Sequence, residues 1–169
     1  MPTDEDAAAA SALRVWHCNY RSLAGVRAYP KLKTLVIATY PDLDLEPIAA
    51  LEGLEYLRLL HLPKVTDLAP LARLHRLRTV RLSTLPSWDS SGKVTTVDSL
   101  KPLAELRHLT HIELFGVLPA DKSLRDLEAS ASLANVRVSS YTSGEVRRFY
   151  DTTGLRDDFA PGPGLSDWD

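Results

Sequence analysis

Apolar residues recur at fixed offsets along most of this 169-residue chain, and this repeat constrains the fold more than any other feature. Five segments read apolar-x-x-apolar-x-apolar, and each opens at a leucine: Leu32, Leu54, Leu77, Leu109 and Leu133. An earlier segment fits with Ala10 as its opening residue. The steps between successive openings are 22, 22, 23, 32 and 24 residues, so the repeat has a nearly constant period with one longer unit.

Two further columns of apolar residues precede each opening. Nine residues before it stand Leu23, Leu45, Leu68, Leu100 and Leu124. Six residues before it stand Val26, Ile48, Leu71, Leu103 and Leu127. Agreement of five units at fixed offsets favours a true repeat over the alternative, an amphipathic helical protein whose leucines align by accident.

One unit, "VTDLAPLARLHRLRTVRLS" at residues 65–83, shows what each repeat contains. Asp67 can cap a short helical turn, and Pro70 fits within the first turn of a helix. Val80 and Leu82 alternate as inward-facing residues of a strand do. Because one repeat cannot bury its apolar face alone, stacked repeats must form the core. The sequence therefore predicts an α/β solenoid with a concave parallel sheet and short helical turns on the convex side.

Two segments, "VTDLAPLARLHRL" and "LDLEPIAALEGL", resemble the leucine-rich repeat family, and most closely its short bacterial, internalin-like type. The resemblance covers about residues 10–140, and it implies a leucine-rich repeat arc whose activity is binding another protein. The chain departs from the family at the column that usually holds asparagine. That column here contains Cys18, Tyr40, Leu62, Leu85, Val117 and Tyr141.

The ends of the chain predict three regions: a polar segment at 1–9, the repeat domain with its cap at 10–156, and a flexible acidic tail at 157–169. Thr142 and Glu145 form a possible capping box, and Gly154 suits the end of a C-terminal capping helix. In the tail, Phe159 and Trp168 among acidic residues are either a short binding motif or part of a solvated segment.

The longest repeat contains an insertion, "PSWDSSGKVTT", that should leave the sheet after Leu85 and lie on one rim. Its Trp88 has two interpretations. Exposed tryptophan is typical of interfaces, whereas a tryptophan that folds back onto its own repeat is simply packed.

The concave face carries the candidate binding residues. Arg58 and Arg81 should be neighbours on adjacent strands, and like charges there repel unless a carboxylate joins them. Glu113 can satisfy Arg81 and also Arg137, which leaves Arg58 unexplained. Exposed aromatic residues with arginine are typical of protein interfaces. The predicted partner-binding residues are Trp16, Tyr56, Arg58, His61, Arg81, Trp88, His111, Glu113, Phe115 and Arg137.

Composition and motifs favour a binding protein over an enzyme. No nucleophile motif or phosphate loop is present, and one cysteine with five dispersed histidines predicts no metal site and no cofactor. The net charge of −2 disfavours the alternative, nucleic-acid binding through the concave arginine residues. No apolar run predicts a membrane span. The sequence thus predicts a cytoplasmic monomer that binds another protein through that protein's acidic patch. It leaves open whether such a module is of the immunity, adaptor or effector type.

Overall fold

Parallel strands form the main body of the structure, a computed structural model that describes residues 4–16, 20–159 and 161–163. Within these ranges the strands are β1 (Ala12–Val15), β2 (Thr34–Ile37), β3 (Tyr56–Leu59), β4 (Thr79–Ser83), β5 (Thr95–Val97), β6 (His111–Phe115), β7 (Val117–Pro119) and β8 (Asn135–Val138). Six of them form one sheet in the order β1-β2-β3-β4-β6-β8, and β5 pairs with β7 in a second sheet. All of these pairs are parallel, as the stacked repeats predict.

Short helical turns connect the strands on the opposite, convex side. The helices are α1 (Asp4–Ala9), α2 (Glu46–Ala49), α3 (Pro86–Ser90), α4 (Lys101–Ala104), α5 (Arg125–Glu128) and α6 (Ser143–Thr153), with 3₁₀ turns at Ala24–Ala28 and Ala69–Arg73. Five of these turns begin directly after a leucine of the first column. Successive convex turns pack against one another, so the repeats stack in the order of the chain.

A serine or aspartate starts each of the five convex turns in the same way. Its side-chain oxygen accepts a hydrogen bond from the backbone N–H two residues later, at 2.7 to 3.2 Å. The five residues are Ser22, Asp44, Asp67, Ser99 and Ser123. These side chains satisfy a donor that a helix start otherwise leaves without a partner. Of these five caps, the sequence predicts only the one at Asp67.

The leucine and valine columns form the core. Leu57, Val80 and Ile112 are register partners on successive strands, and all three are fully buried. Leu71 of the second convex column is fully buried as well. The columns read from the sequence are therefore the contacts that hold neighbouring repeats together.

Helix α6 closes the C-terminal end of this core. Its Phe149 is fully buried, and Gly154 ends the helix with a φ of 66°. The Thr142 hydroxyl accepts a hydrogen bond from the Glu145 N–H at 3.2 Å, which is the first half of the expected capping box. The Glu145 carboxylate instead accepts a hydrogen bond from the Leu124 N–H at 2.7 Å. It therefore joins the capping helix to the preceding repeat.

At the other end, the segment expected to be merely polar contains helix α1. Ala7 of this helix is buried, and the helix packs against the 3₁₀ turn at Ala24–Ala28. No helix in the described ranges has the length and apolar character needed to cross a bilayer.

The insertion of the long repeat forms α3 and β5, so the extra residues are placed outside the main sheet. β4 and β6 on either side of it stay in register, with Arg81 opposite Glu113. Gly116, which follows β6, has a φ of 66°, and a side chain there would collide with Thr84. Glycine at this position lets the chain turn from the main sheet into β7.

Candidate functional site

One row of side chains crosses the concave face at the fifth place of each repeat. We call it the concave row, and its members are Arg14, Val36, Arg58, Arg81, Glu113 and Arg137. The register places Arg58 opposite Arg81, and Glu113 between Arg81 and Arg137. Since adjacent strands lie about 4.8 Å apart, the last four side chains are direct neighbours.

Glu113 joins the two arginine residues beside it. Arg81 Nε lies 2.6 Å from one carboxylate oxygen of Glu113, and Arg137 Nη1 lies 3.1 Å from the other. The Glu113 side chain is only 3% exposed, so both ion pairs are shielded from water. Arg81 and Arg137 thus share one counter-ion within the protein.

Tyr56 extends this network toward β3. Arg81 Nη1 donates a hydrogen bond to the Tyr56 hydroxyl oxygen at 3.3 Å. Burial lowers the pKa of Arg81, but its hydrogen bonds and charge interactions with Tyr56 and Glu113 outweigh burial and leave the pKa raised. Arg81 is therefore held firmly in its charged form by neighbours on both sides.

Arg58 differs from the other arginine residues at the centre of the row. It is half-buried, and within the described residues its guanidinium makes no hydrogen bond and no ion pair. Burial lowers the pKa of Arg58, and the positive charge of Arg81 lowers it further. An arginine stays charged at neutral pH even so. Arg58 is therefore a poorly compensated cation that an external carboxylate would stabilise.

His111, beside the row on β6, is fixed by two hydrogen bonds. Its Nδ1 lies 2.9 Å from Thr110 Oγ1, and its Nε2 lies 2.9 Å from the Asn135 side-chain nitrogen. The Thr110 hydroxyl donates its proton to the Arg78 carbonyl oxygen, so toward His111 it acts as the acceptor. The Nδ1 atom of His111 therefore carries a proton. Burial, followed by the charge of Arg156, lowers the pKa of His111, which keeps the ring neutral.

His61 and Trp88 contact each other at the rim where the strands end. Their ring centroids lie 4.8 Å apart with an interplanar angle of 81°. His61 is only 7% exposed, and burial lowers its pKa. The insertion therefore folds back onto the repeat of β3, which is the second of the two interpretations that the sequence left open for Trp88.

Trp16 and Phe115 lie far apart across the sheet. Trp16 follows β1 and is 41% exposed, with the Arg14 guanidinium 6.0 Å from its ring centroid. Phe115 is half-buried on β6, and the Arg137 guanidinium lies 5.4 Å from its ring. Four strand steps of about 4.8 Å separate the two aromatic residues, so they cannot line one small site.

The structure therefore brings together some of the predicted residues and separates others. Those on neighbouring strands at the centre of the concave face are Tyr56, Arg58, Arg81, His111, Glu113, Phe115 and Arg137. His61 and Trp88 form the rim contact, and Trp16 lies toward the first strand. The expectation of exposure is corrected at Tyr56, His61 and Glu113, which are all buried. Glu113 pairs with two arginine residues, Tyr56 contacts Arg81, and His61 contacts the Trp88 ring.

Comparison with solved structures shows which known fold this is. No protein-family model matches the sequence, and no curated protein matches it significantly. Internalin C2 from Listeria monocytogenes superposes with a TM-score of 0.61 at 20% identity, over 82% of this chain and 56% of that one. The fold is an internalin-like leucine-rich repeat. A second Listeria internalin, InlF, is similar at a TM-score of 0.45 and 19% identity, over 81% of this chain and 50% of that one.

This leucine-rich repeat chain spans just over half the length of internalin C2. Two tyrosines occupy the column that the family usually fills with asparagine. The Tyr40 hydroxyl donates to the Asp44 carbonyl at 2.7 Å, and the Tyr141 hydroxyl donates to the Val117 carbonyl at 3.3 Å. The Tyr40 phenol therefore binds backbone of a loop, and the Tyr141 phenol binds backbone of β7. Cys18, in the same column, and its neighbour His17 lie outside the described residues.

The segment after α6 lies against the concave face of the leucine-rich repeats, a path that no pattern in the sequence predicts. The Phe159 ring contacts the Arg137 guanidinium at 3.9 Å from the ring centroid. Pro161 and Pro163 line a cleft of about 360 Å³ that also contains Tyr56 and His111. A Pro- and Gly-rich stretch has no periodicity that could indicate this path. Trp168, proposed as part of a motif, lies outside the described residues.

Proposed function

We propose that this chain is a non-enzymatic protein-binding module that holds an acidic segment of a partner on its concave face. The observation that carries the proposal is Arg58, a half-buried cation beside a second cation and without an ion pair in the described ranges. A carboxylate from a partner would offset both the repulsion from Arg81 and the cost of burying this guanidinium. The internalin-like fold supports the proposal by analogy of architecture.

The surroundings of Arg58 suit a protein ligand. Tyr56 lies two residues away on the same strand, and its hydroxyl is held by Arg81. Tyr56 is itself buried, so it holds Arg81 in a fixed position beside Arg58. Arginine residues in fixed positions are enriched among the residues that dominate binding energy at protein interfaces. Arg58 and Arg81, supported by Tyr56, therefore form the centre of the proposed site.

The alternative, nucleic-acid binding, requires several uncompensated cations along one face. The concave row suits phosphates poorly, because the Glu113 carboxylate lies between Arg81 and Arg137 and pairs with both. Acid–base catalysis has little support either, because the ring nitrogens of His111 are held by Thr110 and Asn135. Within the described residues no group of histidine, cysteine and acidic side chains is arranged to hold a metal ion.

Affinity capture with matched variants tests the proposal. Tagged wild-type protein, Arg58→Glu and Arg27→Glu are each incubated with extract of the source organism, and captured proteins are identified by mass spectrometry. Arg27 is exposed on a convex turn, so it controls for the charge reversal alone. We expect one stoichiometric protein with the wild type and with Arg27→Glu, but not with Arg58→Glu. Capture of nucleic acid, or equal capture by all three, would contradict the proposal.

We also propose that the module acts as a monomer in a reducing compartment such as the cytoplasm. The support is the single cysteine, which cannot form a disulfide within the chain. Light scattering coupled to gel filtration measures the oligomeric state directly. A mass twice that of the chain would contradict this part of the proposal.

A further inference from the structure

We propose that the concave groove accepts an extended acidic peptide and that residues 157–169 of this same chain are its resident occupant. The proposal rests on the concave site of the proposed function and names the kind of segment that fits it. It makes the chain's own tail the first ligand of the site, which any external partner has to displace.

The path of the tail begins at the last strand of the main sheet. Arg156 forms an isolated parallel bridge with Asn135 of β8. The Arg156 carbonyl accepts a hydrogen bond from the Val136 N–H at 2.9 Å, and the Arg156 N–H donates to the Ala134 carbonyl at 3.2 Å. The chain thus leaves the capping helix and is tied to the edge of the sheet directly before the tail starts.

The next contact brings the tail onto the concave row. The Phe159 ring lies over the Arg137 guanidinium at 3.9 Å, on top of the ion pair between Arg137 and Glu113. Phe159 is 78% exposed, so burial in the core does not explain its position. The cation–π contact accounts for it and is worth about 0.5–1 kcal/mol at an exposed site.

The tail then runs across the strands toward β3. Pro161 and Pro163 line a cleft together with His111 of β6, Thr79 of β4 and Tyr56 of β3. Three strand steps of about 4.8 Å separate β8 from β3. The segment from Arg156 to Pro163 therefore passes across β8, β6 and β4 to reach β3. Proline restricts the unbound conformations of the segment, which lowers the entropy cost of docking.

The residues that follow Pro163 have the charge that the groove lacks. The sequence continues GLSDWD, with carboxylates at Asp167 and Asp169. Six residues reach at most about 20 Å. Pro163 lines the same cleft as Tyr56, and Arg58 lies two residues, or about 6.6 Å, along β3 from Tyr56. A carboxylate of Asp167 or Asp169 can therefore reach the guanidinium of Arg58, which has no ion pair within the described residues. This contact is the centre of the proposal.

The experiment uses full-length protein and a fluorescent synthetic peptide of residues 157–169. A tethered tail competes at an effective concentration in the millimolar range, so wild-type protein should bind the peptide weakly. The full-length variant Phe159→Ala, Asp167→Asn, Asp169→Asn has a weakened tail of its own. We expect it to bind the peptide at least tenfold more tightly than the wild type does.

Further substitutions in that variant assign the contact. Adding Arg58→Gln should weaken peptide binding at least tenfold, whereas adding Arg27→Gln on the convex side should not change it. A peptide with Asp167 and Asp169 replaced by asparagine should bind as weakly as the Arg58→Gln variant binds the original. Circular dichroism melts of all variants show whether folding is preserved.

Equal affinity of wild-type protein and tail variant, no binding to either, or binding that ignores Arg58→Gln would each overturn the proposal. Sedimentation of the same samples tests whether the tail occupies the groove of a second copy of the chain. A dimer that is present in the wild type and lost in the tail variant would show this, and it would overturn the intramolecular form of the proposal. A partner protein whose affinity depends on Arg58 would support the proposed function even where the peptide result is negative, so the two can fail separately.

Discussion

Arg58 and Arg81 stand opposite each other on neighbouring strands, and in the described part of the chain only Arg81 is paired with a carboxylate. The two residues have the same charge and point to the same face of the sheet, yet their neighbours on the outer side of the pair differ. Glu113 is the register partner of Arg81, and Val36 is the register partner of Arg58 on its other side. This difference gives Arg81 a counter-ion within the fold and leaves Arg58 without one among the described residues.

Replacing Glu113 with glutamine should lower the free energy of unfolding by about 3 kcal/mol, because it leaves Arg81 and Arg137 without their shared counter-ion. The side chains of Arg81 and Arg137 are each less than a quarter exposed, so water cannot fully replace the lost carboxylate charge. Urea denaturation monitored by circular dichroism measures the change.

Glu46→Gln is the matched control for this substitution. The ion pair of Glu46 with Arg73 on the convex turns is about half-exposed on both sides, so its loss should cost less than about 1 kcal/mol. Equal losses in the two variants would show that the concave ion pairs contribute no more than surface pairs do.

Truncation of the repeat columns tests the core. Leu57→Ala on β3 and Leu71→Ala on a convex turn should each cost about 2–5 kcal/mol, since both side chains are fully buried. Leu43→Ala removes the same atoms at a position that is 74% exposed, and it should change stability by less than about 0.5 kcal/mol. A change below about 0.5 kcal/mol at Leu57 and Leu71 as well would show that these two side chains are not part of the core.

The link between the capping helix and the last repeats should depend on pH through Glu145. Hydrogen bonds from the Arg148 guanidinium, and then from the Leu124 N–H, hold the pKa of Glu145 at about 2, compared with 4.5 in an unperturbed chain. A carboxyl with a lowered folded-state pKa stabilises the fold fully above pH 4.5, and this stabilisation is lost as the pH falls toward 2.

Glu145→Gln removes that charge at every pH. The difference in unfolding free energy between wild type and this variant should be constant from pH 8 to pH 6 and shrink steadily below about pH 4.5. Acid titrations of urea midpoints measure it, with Glu105→Gln at an exposed convex position as the control for losing one carboxylate. A difference that stays flat down to pH 3 would mean that Glu145 is not held in its charged form by these contacts.

The solenoid can be predicted from the sequence because each column marks a contact that recurs in every repeat. Leu57, Leu71 and Val80 each belong to such a column, and each is fully buried. The pairing of Arg81 with Glu113 follows from the same register, once the inserted residues are recognised as lying outside the sheet.

Features that occur once in the chain could not be predicted in this way. Strand alternation indicates that His61 points away from the core, but it does not indicate that Trp88 covers it. Nor does any period mark the path of Phe159 and the prolines that follow it, since a Pro- and Gly-rich segment is compatible with many conformations. These contacts depend on distant parts of the chain meeting, which a local pattern does not record.

The most direct test of the account is the affinity of the captured partner for Tyr56→Ala, Arg58→Glu and Arg81→Glu, measured by isothermal titration calorimetry. Arg27→Glu serves as the control for charge, and thermal melts show whether each variant is folded. Truncation or charge reversal at the centre of an interface costs about 2 kcal/mol or more, so we predict at least about a thirtyfold loss of affinity at Arg58 and no loss at Arg27. Unchanged affinity in all three concave variants would contradict the account and place the partner site elsewhere, at the Trp88 rim or on the C-terminal tail.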